Sequence, residues 1–246
     1  MNTFNPKTIA KRTIISFLAH YGYEFVRIKD RAETRAIDVL PLIVQDYIQH
    51  KTSPGFFFVQ IGANDGKRCD PVVPLVEKFG NWKGVLVEPN PREFAALKKN
   101  YAARAGLEFE CAAIMDFDGR ATLYSSNAGG EETILASTDK NVASIGLSKS
   151  ANTLGQFEVD AVRLETLFAK HHIENIDLFV TDTEGNDYGV MRQLLNGTKI
   201  RPGIIFFEHI IMDKLQYAEC LRMLGQNGYE TLLANNDTIA TKPRVS

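Results

Sequence analysis

The chain has 246 residues, of which 44% are hydrophobic and 24% charged, and its formal net charge at neutral pH is −2. This length suits one domain with a sizeable core, or one domain with an appendage. The small charge excludes a bulk electrostatic attraction to nucleic acid or to an anionic membrane, and no apolar run reaches the ~18 residues that indicate a membrane span. Cys69, Cys111 and Cys220 form no CxxC pair, which argues against a disulfide framework or zinc site and favours a cytoplasmic protein.

The N-terminal part, residues 1–54, precedes the main pattern and is predicted to be a helical cap segment. Its short apolar piece, TIISFLAH, follows two basic residues, and no small-residue cleavage site comes after it. We therefore expect an amphipathic helix here rather than a signal peptide. The main domain is predicted to cover residues 55–246.

From residue 55 onward, short apolar runs alternate with helical patterns. The runs that predict buried parallel strands are FFFVQI (56–61), GVLVEP (84–89), LEFECAAI (107–114), IDLFVTD (176–182) and GIIFFEH (203–209). TLLANND (231–237) and TIATK (238–242) are predicted to add a closing antiparallel pair. Strands that alternate with helices predict a doubly wound α/β sheet with helices on both faces.

The helical patterns carry start and stop signals. In DPVVPLVEKFG (70–80), Asp70 is the predicted N-cap and Gly80 the stop. The other predicted helices are PREFAALKKNYAAR (91–104), NDYGVMRQLLNG (186–197) and KLQYAECLRMLGQNGY (214–229), the last with a buried stripe of Leu215, Ala218, Leu221 and Leu224. Residues 115–163 break the alternation; GRATLYSS and QFEVDAVRL predict an inserted hairpin. With residues 1–54, this insertion is a candidate substrate-covering layer.

The first strand ends at a loop that contains Gly62 and Gly66. Their spacing fits neither the dinucleotide-binding GxGxxG pattern nor the phosphate-binding GxxxxGK[ST] pattern. A plain strand-to-helix turn is one explanation of the loop. Glu88, however, ends the next strand, where an acid about 20 residues downstream can bind the hydroxyls of a ribose. The pair of features indicates a nucleoside-containing cofactor.

The fourth and fifth strands also end in ionisable residues. Asp182 and Glu184 are two positions apart, so they share a face if the strand continues through both. Glu208 and His209 end the fifth strand, and a histidine there could act as a general base. A divalent cation held by Asp182, Glu208 and His209 is the less favoured alternative, because no metal-binding spacing such as HExxH is present. Four further histidines are predicted to be structural or solvent-exposed: His20, His50, His171 and His172.

The motifs FVQIGANDG, LVEPNP, DLFVTDTEGND and GIIFFEH, in this order and spacing, resemble the FkbM-type methyltransferases. VASIG (142–146) and VRLETLF (162–168) resemble two further family segments, and the likeness covers roughly residues 55–240. It implies a Rossmann-like class I fold with a mostly parallel seven-stranded sheet, and S-adenosylmethionine as the cofactor. It also implies O-methylation of a hydroxyl on a sugar or a polyketide-type product, so the partner would be a small-molecule or glycan acceptor.

The resemblance assigns site residues position by position. The choice of general base comes from the strand ends rather than from the resemblance: His209 is the first choice, followed by Asp182 and Glu184. The implied cofactor-binding residues are Gln60, Gly62, Ala63, Asn64, Asp65, Gly66, Glu88, Pro89, Asn90, Ala112, Ala113 and Asp182. The sequence departs from the family pattern at Gln60, where Asp is frequent, at Thr181, where Lys is common, at Asp187, where Glu is common, and at Glu165, where the family has Asp.

Three other functions remain open at this point. An NAD-dependent oxidoreductase could use the same architecture, although the glycine spacing disfavours it. A non-catalytic relative is disfavoured by the presence of both the glycine loop and Glu88. A nucleic-acid methyltransferase is disfavoured by the charge and by the lack of an NPPY-like motif, so we expect no nucleic-acid partner; homo-oligomer formation is left open.

Overall fold

The computed structural model describes residues 39–68, 70–126, 136–145 and 154–243. Their strands are β1 (Phe57–Ile61), β2 (Lys83–Val87), β3 (Leu107–Glu110), β4 (Ala113–Ile114), β5 (Gly119–Ser126), β6 (Ala136–Ser137), β7 (Leu154–Val162), β8 (Leu178–Thr181), β9 (Ile204–Glu208), β10 (Glu230–Ala234) and β11 (Asp237–Thr241). Their helices are α1 (Leu40–His50), α2 (Val73–Phe79), α3 (Pro91–Asn100), α4 (Lys140–Ile145), α5 (Leu164–Lys170), α6 (Asp187–Arg192) and α7 (Lys214–Gln226), with a π-helical turn, Gln193–Gly197, continuing α6. The amphipathic helix predicted near the N-terminus, and Cys69, lie outside the described residues.

The central sheet has seven strands in the order β10-β11-β9-β8-β1-β2-β3. The pairs β1–β2, β1–β8, β2–β3 and β8–β9 are parallel, whereas β11 runs antiparallel to both β9 and β10. This arrangement confirms the predicted fold class, a mostly parallel seven-stranded sheet with a closing antiparallel pair. The chain continues from β1 to β2 on one side of the sheet and from β8 to β9 on the other, so the strand order reverses between β1 and β8. Ligands of such sheets bind at the carboxyl ends of the strands at this point.

Helices cover both faces of this sheet. One face carries α5, α6 and α7, whose apolar side chains pack with alternate strand residues such as Val59, Phe179 and Phe207. The other face carries α1, α2 and α3, which pack on Phe58 and Val180. No helix in the described part of the chain has the length and apolarity required to cross a membrane.

Helix α1 belongs to the sequence segment that was predicted as an N-terminal cap. Leu40 and Val44 are buried in the same cluster as the sheet residues. Asp177, just before β8, accepts hydrogen bonds from the Tyr47 hydroxyl, the Lys51 ammonium and the Phe57 backbone N–H. These contacts fasten α1 to the amino ends of β1 and β8. The proposed domain division at residue 54 stays a prediction.

The predicted inserted hairpin is confirmed. Strands β5 and β7 pair antiparallel along their full length, from Gly119 opposite Ala161 to Ser126 opposite Leu154. With β4 and β6 they form a second sheet in the order β4-β7-β5-β6. Parts of the predicted substrate-covering layer, residues 127–135 and 146–153, lie outside the described residues.

Two predicted helix details differ from the structure. Helix α2 begins at Val73, two residues after the predicted start at Pro71, although the Asp70 side chain does accept from the backbone N–H groups of Val72 and Val73, the bonds expected of an N-cap. In α7 the buried residues are Cys220, Met223 and Leu224, whereas Leu215 is 82% exposed. The capping box at Asp213 fixes where α7 begins, but tertiary packing decides which face it buries.

Candidate functional site

A pocket lies at the carboxyl ends of β1, β2 and β8. Many predicted site residues line it: Gln60, Gly62, Ala63, Asn64, Glu88, Pro89, Asn90, Ala112, Ala113, Asp182 and Glu184. Asp65 and Gly66 belong to the same loop but are not among the lining residues, and neither is His209. The structure therefore brings together the ends of the first four predicted strands, and leaves the fifth outside this pocket.

Glu88 connects the glycine loop to the next strand. Its Oε2 accepts from the backbone N–H of Asn64 at 2.8 Å, and its Oε1 accepts from the backbone N–H of Asn90 at 2.8 Å. The residue is only 7% exposed, and this burial raises the pKa of the Glu88 carboxyl to about 7, although the two N–H donors oppose the rise. Each carboxylate oxygen can accept more than one hydrogen bond, so Glu88 retains capacity toward a ligand.

The two loop glycines are required by packing within the protein. Gly62 has φ +80°, and a Cβ there would lie 1.8 Å from the carbonyl oxygen of Asp182. Gly66 has φ +68°, and a Cβ there would meet the ring of Tyr101 at 2.5 Å. Asp65 accepts from the backbone N–H groups that follow it and pairs with Arg68, which orders the turn. The loop thus passes close to β8 and α3, and only its first half faces the pocket.

Gln60 and Asp70 form one wall of the pocket. Gln60 is 2% exposed, and its side chain is close enough to the Asp70 carboxyl group to stabilise the ionised form through the amide. Burial nevertheless raises the pKa of Asp70. Among the described residues, neither Gln60 Oε1 nor Asp70 Oδ2 has a hydrogen-bond partner. Asp70 was predicted only as a helix cap, so its place in the pocket is new.

Three carboxylates crowd together beyond β8 and β9. Ligand atoms of Asp182, Glu184 and Glu208 all lie within 4.8 Å of one another. Burial, reinforced by the charges of Asp187 and Glu184, raises the pKa of Asp182 to about 7. Burial and the charge of Asp182 raise the pKa of Glu208 to about 8. Side chains with such pKa values can take up and release a proton near neutral pH.

Two of the departures from the family pattern contact each other. Thr181 and Asp187 are both buried, and the Thr181 hydroxyl donates to Asp187 Oδ1 at 2.7 Å. Asp187 also accepts from the backbone N–H of Thr183. The Asp187 carboxylate therefore binds back to the strand end. The two departures form one local hydrogen-bonded unit.

His209 lies on the other side of the sheet from the acidic cluster. Its ring stacks on Tyr217 of α7 with centroids 4.6 Å apart, and its Nδ1 lies 3.1 Å from Thr238 Oγ1. Thr238 is paired with Phe207, which faces α7, whereas Glu208 alternates to the opposite face. Burial lowers the pKa of His209. The structure therefore gives no support to His209 as the base, and in the alternative cation site Glu184 takes the position expected of His209.

Several lining residues were not found from the sequence. Besides Asp70 they include Arg68, Pro71, Glu93, Leu123, Thr138, Thr183 and Asn186. Leu123 and Thr138 come from the second sheet and its following turn, which no local motif could place near β1. Glu93 and Arg68 form an ion pair at 3.2 Å. The only sequence signal for this pair was the charged residue in the first turn of α3.

Comparison with known proteins gives a family match. The family model described as the methyltransferase FkbM domain matches residues 60–231. No curated protein matches the chain in sequence.

Cys111 and Cys220, the described cysteines, are free thiols.

Similar solved structures share little sequence identity with the chain. A methyltransferase FkbM from Methylobacillus flagellatus KT is 11% identical with a TM-score of 0.48; the match covers 76% of this chain and 43% of that one. A precorrin-6y C5,15-methyltransferase from Geobacter metallireducens GS-15 is 11% identical with a TM-score of 0.44, over 89% and 95% of the two chains. The family match spans well over half of the chain, from β1 into β10, and the chain belongs to the FkbM methyltransferase domain family.

Proposed function

We propose that this chain is an S-adenosylmethionine-dependent O-methyltransferase, and that the pocket beyond β1, β2 and β8 holds the cofactor. The observation that carries the proposal is Glu88: a buried acid at the tip of β2, tied by a 2.8 Å hydrogen bond to the loop that follows β1. An acid at this place suits the two hydroxyls of a ribose. Membership of the methyltransferase family makes S-adenosylmethionine the nucleoside that fits best.

The lining residues suit the other parts of that cofactor. Ala112 and Ala113 are buried, small and apolar, which suits the flat face of an adenine. Gln60 Oε1 and Asp70 Oδ2 are buried acceptors without a partner in the described residues, which suits a polar, positively charged end. The pocket therefore contains both apolar and acidic lining residues, as the cofactor would require.

When bound, S-adenosylmethionine supplies a methyl group on a positively charged sulfur. The chain must hold the acceptor oxygen in line with that group, and such orientation can lower a barrier by about 7–11 kcal/mol. A hydroxyl acceptor must also lose its proton as its oxygen takes the methyl group. Asp182 and Glu184 line the pocket, and we propose that Asp182, coupled to Glu208, receives that proton.

A hydroxyl on a sugar or a polyketide-type product is the acceptor class that the family resemblance implies. The acidic cluster supports a neutral acceptor, because a phosphate or carboxylate would be repelled by Asp182, Glu184 and Glu208. The same repulsion disfavours a nucleic acid, whose backbone binds to basic surfaces. Homo-oligomer formation stays an open expectation.

Isothermal titration calorimetry with S-adenosylhomocysteine tests the proposal. Wild-type protein should bind it, and Glu88→Ala should weaken binding by about 10- to 100-fold, since hydrogen bonds to a charged group contribute about 1.5–3 kcal/mol. Glu219→Ala is the matched control. Glu219 pairs with Arg222 on α7, a helix that covers the face of the sheet opposite to α1, α2 and α3. Equal affinities for wild type and Glu88→Ala would refute the ribose assignment.

A further inference from the structure

Glu184, in the turn after β8, has a backbone conformation that residues with side chains rarely adopt. Its φ is +53°, in the left-handed region, and Gly185 follows it with φ +115°. Such a conformation is unfavourable for a residue other than glycine, and it persists only where the surrounding structure holds it. The turn therefore depends on contacts from other parts of the chain.

The second sheet and the helix that follows it supply those contacts. The Ser137 hydroxyl donates to the carbonyl oxygen of Glu184 at 2.7 Å and accepts from the backbone N–H of Asp139 at 3.0 Å. Ser137 is 1% exposed, so water does not compete for these bonds. A Cβ on Gly185 would lie 3.1 Å from Val142 of α4 and 3.6 Å from the Ser137 oxygen. The end of β6 and the start of α4 thus pack directly on the turn.

The turn presents the Glu184 carboxylate to the pocket. Glu184 lines the pocket together with Asp182, and both carboxylates belong to the acidic cluster that includes Glu208. Within the described part of the chain, no group donates a hydrogen bond to the Glu184 carboxylate. Its negative charge is therefore available to a cation in the pocket.

The cofactor proposed for this pocket carries a positive charge on its sulfur. S-adenosylhomocysteine has the same adenosine and amino-acid parts, but its sulfur is neutral. A carboxylate in the pocket wall attracts the charged sulfur and has no such charge to attract in the neutral ligand. The ratio of the two affinities therefore measures how well the acidic turn is aligned, independently of the parts that both ligands share.

We propose that Ser137 is a positioning residue, whose hydroxyl holds the turn after β8 so that the Glu184 carboxylate stabilises the positive sulfur of the cofactor. The inference rests on the proposed function, since it concerns the same pocket. It gives the second sheet a part in the site, because β6 ends at Ser137 and the next residue, Thr138, lines the pocket.

Calorimetric titration with S-adenosylmethionine and with S-adenosylhomocysteine tests the inference. It is done at pH 8, because burial and the charge of Asp187 raise the pKa of Glu184. Ser137→Ala removes the donor. It should lower the affinity for S-adenosylmethionine, relative to that for S-adenosylhomocysteine, by about 3- to 10-fold, the range of one hydrogen bond. An unchanged ratio, with or without an equal loss of both affinities, would overturn the inference.

Thr198→Ala is the matched control. It also removes a hydroxyl that donates to a backbone carbonyl, that of Leu194 at 2.9 Å, in the turn after α6. Because neither residue lines the pocket, the ratio of the two affinities should stay at its wild-type value. A fall as large as that in Ser137→Ala would show that the ratio responds to any lost hydroxyl, and would overturn the inference as well.

A double-mutant cycle shows whether Ser137 acts through Glu184. Glu184→Gln removes the charge and should lower the ratio at least as much as Ser137→Ala does. The double variant should match Glu184→Gln within about twofold, since both changes remove the same interaction. Effects that multiply would show that Ser137 acts independently of Glu184, which is incompatible with a positioning role.

Ser137→Cys keeps the test decisive if Ser137→Ala folds poorly. A thiol fills the space of the hydroxyl but is only a weak donor, so the ratio should again fall. A wild-type ratio in this variant would mean that packing rather than the hydrogen bond fixes the turn, against the inference. If the wild-type protein bound neither ligand, the proposed function would fail, and the inference with it; if it bound both without any dependence on Ser137, only the inference would fail.

Discussion

The backbone N–H of Asn64 donates to Glu88 Oε2 across 2.8 Å, and this bond joins the loop after β1 to the tip of β2. Glu88 also accepts from Asn90, so one buried carboxylate organises two loops of the pocket. In Glu88→Gln the amide NH₂ would face one of these N–H donors and leave it unpaired. We expect a loss of about 1–3 kcal/mol in the free energy of unfolding, measured by urea denaturation. Wild-type stability in this variant would show that the loops hold without the carboxylate.

The acidic cluster predicts which residue serves as the base. On any acceptor hydroxyl that the wild-type protein methylates, Asp182→Asn should lower kcat by about 10²–10⁴-fold. His209→Ala should stay within about threefold of wild type, because His209 contacts Tyr217 and Thr238 on the α7 side of the sheet. Steady-state kinetics with both variants, alongside their affinity for S-adenosylhomocysteine, makes the comparison. Collapse of turnover in His209→Ala would restore the assignment expected from the sequence.

The raised pKa values predict an unusual pH dependence of stability. The pKa of Glu88 and of Asp182 is raised to about 7, that of Glu208 to about 8 and that of Asp237 to about 6, chiefly by burial. These groups bind protons more tightly in the folded state than in the unfolded state, so their stabilising effect is complete below pH 4 and is lost as the pH rises through 6 to 8.

The ligand-free protein should therefore melt at a lower temperature at pH 8 than at pH 5.5. A difference of about 5 °C is expected, since ~1 kcal/mol shifts Tm by about 2–4 °C in a chain of this size. Differential scanning calorimetry at constant ionic strength measures it, and Asp182→Asn should reduce the slope. A Tm that increases from pH 5.5 to pH 8 would contradict the burial of these carboxylates.

Gly62 and Gly80 predict a contrast between two glycine substitutions. Both have positive φ, but a Cβ at Gly62 would overlap the Asp182 carbonyl oxygen, whereas at Gly80 nothing lies within 4 Å. Gly80→Ala should cost about 1–3 kcal/mol, because φ +61° with ψ 176° is a backbone conformation that essentially only glycine adopts. Gly62→Ala should cost more, because β1 and β8 must also separate. Urea denaturation of the two variants gives the comparison; equal costs would mean that the strand ends move apart freely.

The sequence predicted the central sheet well because its strands are buried on both faces and read as continuous apolar runs. The acids at the strand ends could be found because parallel strands bring their carboxyl ends to one edge. Glu88 and Asp182 were located in this way. The fold predictions that the structure confirms are thus the ones that depend on chain order and local pattern.

Predictions that depend on which face a side chain occupies are harder to make from a sequence. His209 follows Glu208 directly, and the alternation of a strand sends the two to opposite faces. Leu215 fits a helical stripe, but α7 turns another face to the sheet. Asp70 gives the local signal of a helix cap, and nothing in the sequence reveals that Gln60 lies beside it. Such relations arise from tertiary packing, which a single sequence does not encode locally.

The central claim is that the pocket tied together by Glu88 binds S-adenosylmethionine rather than a nicotinamide dinucleotide. Calorimetric titration of the wild-type protein with S-adenosylhomocysteine, and separately with NAD, tests it most directly. We predict saturable binding of S-adenosylhomocysteine that Glu88→Ala weakens by about 10-fold or more, and no binding of NAD. Saturable binding of NAD without binding of S-adenosylhomocysteine would contradict the claim.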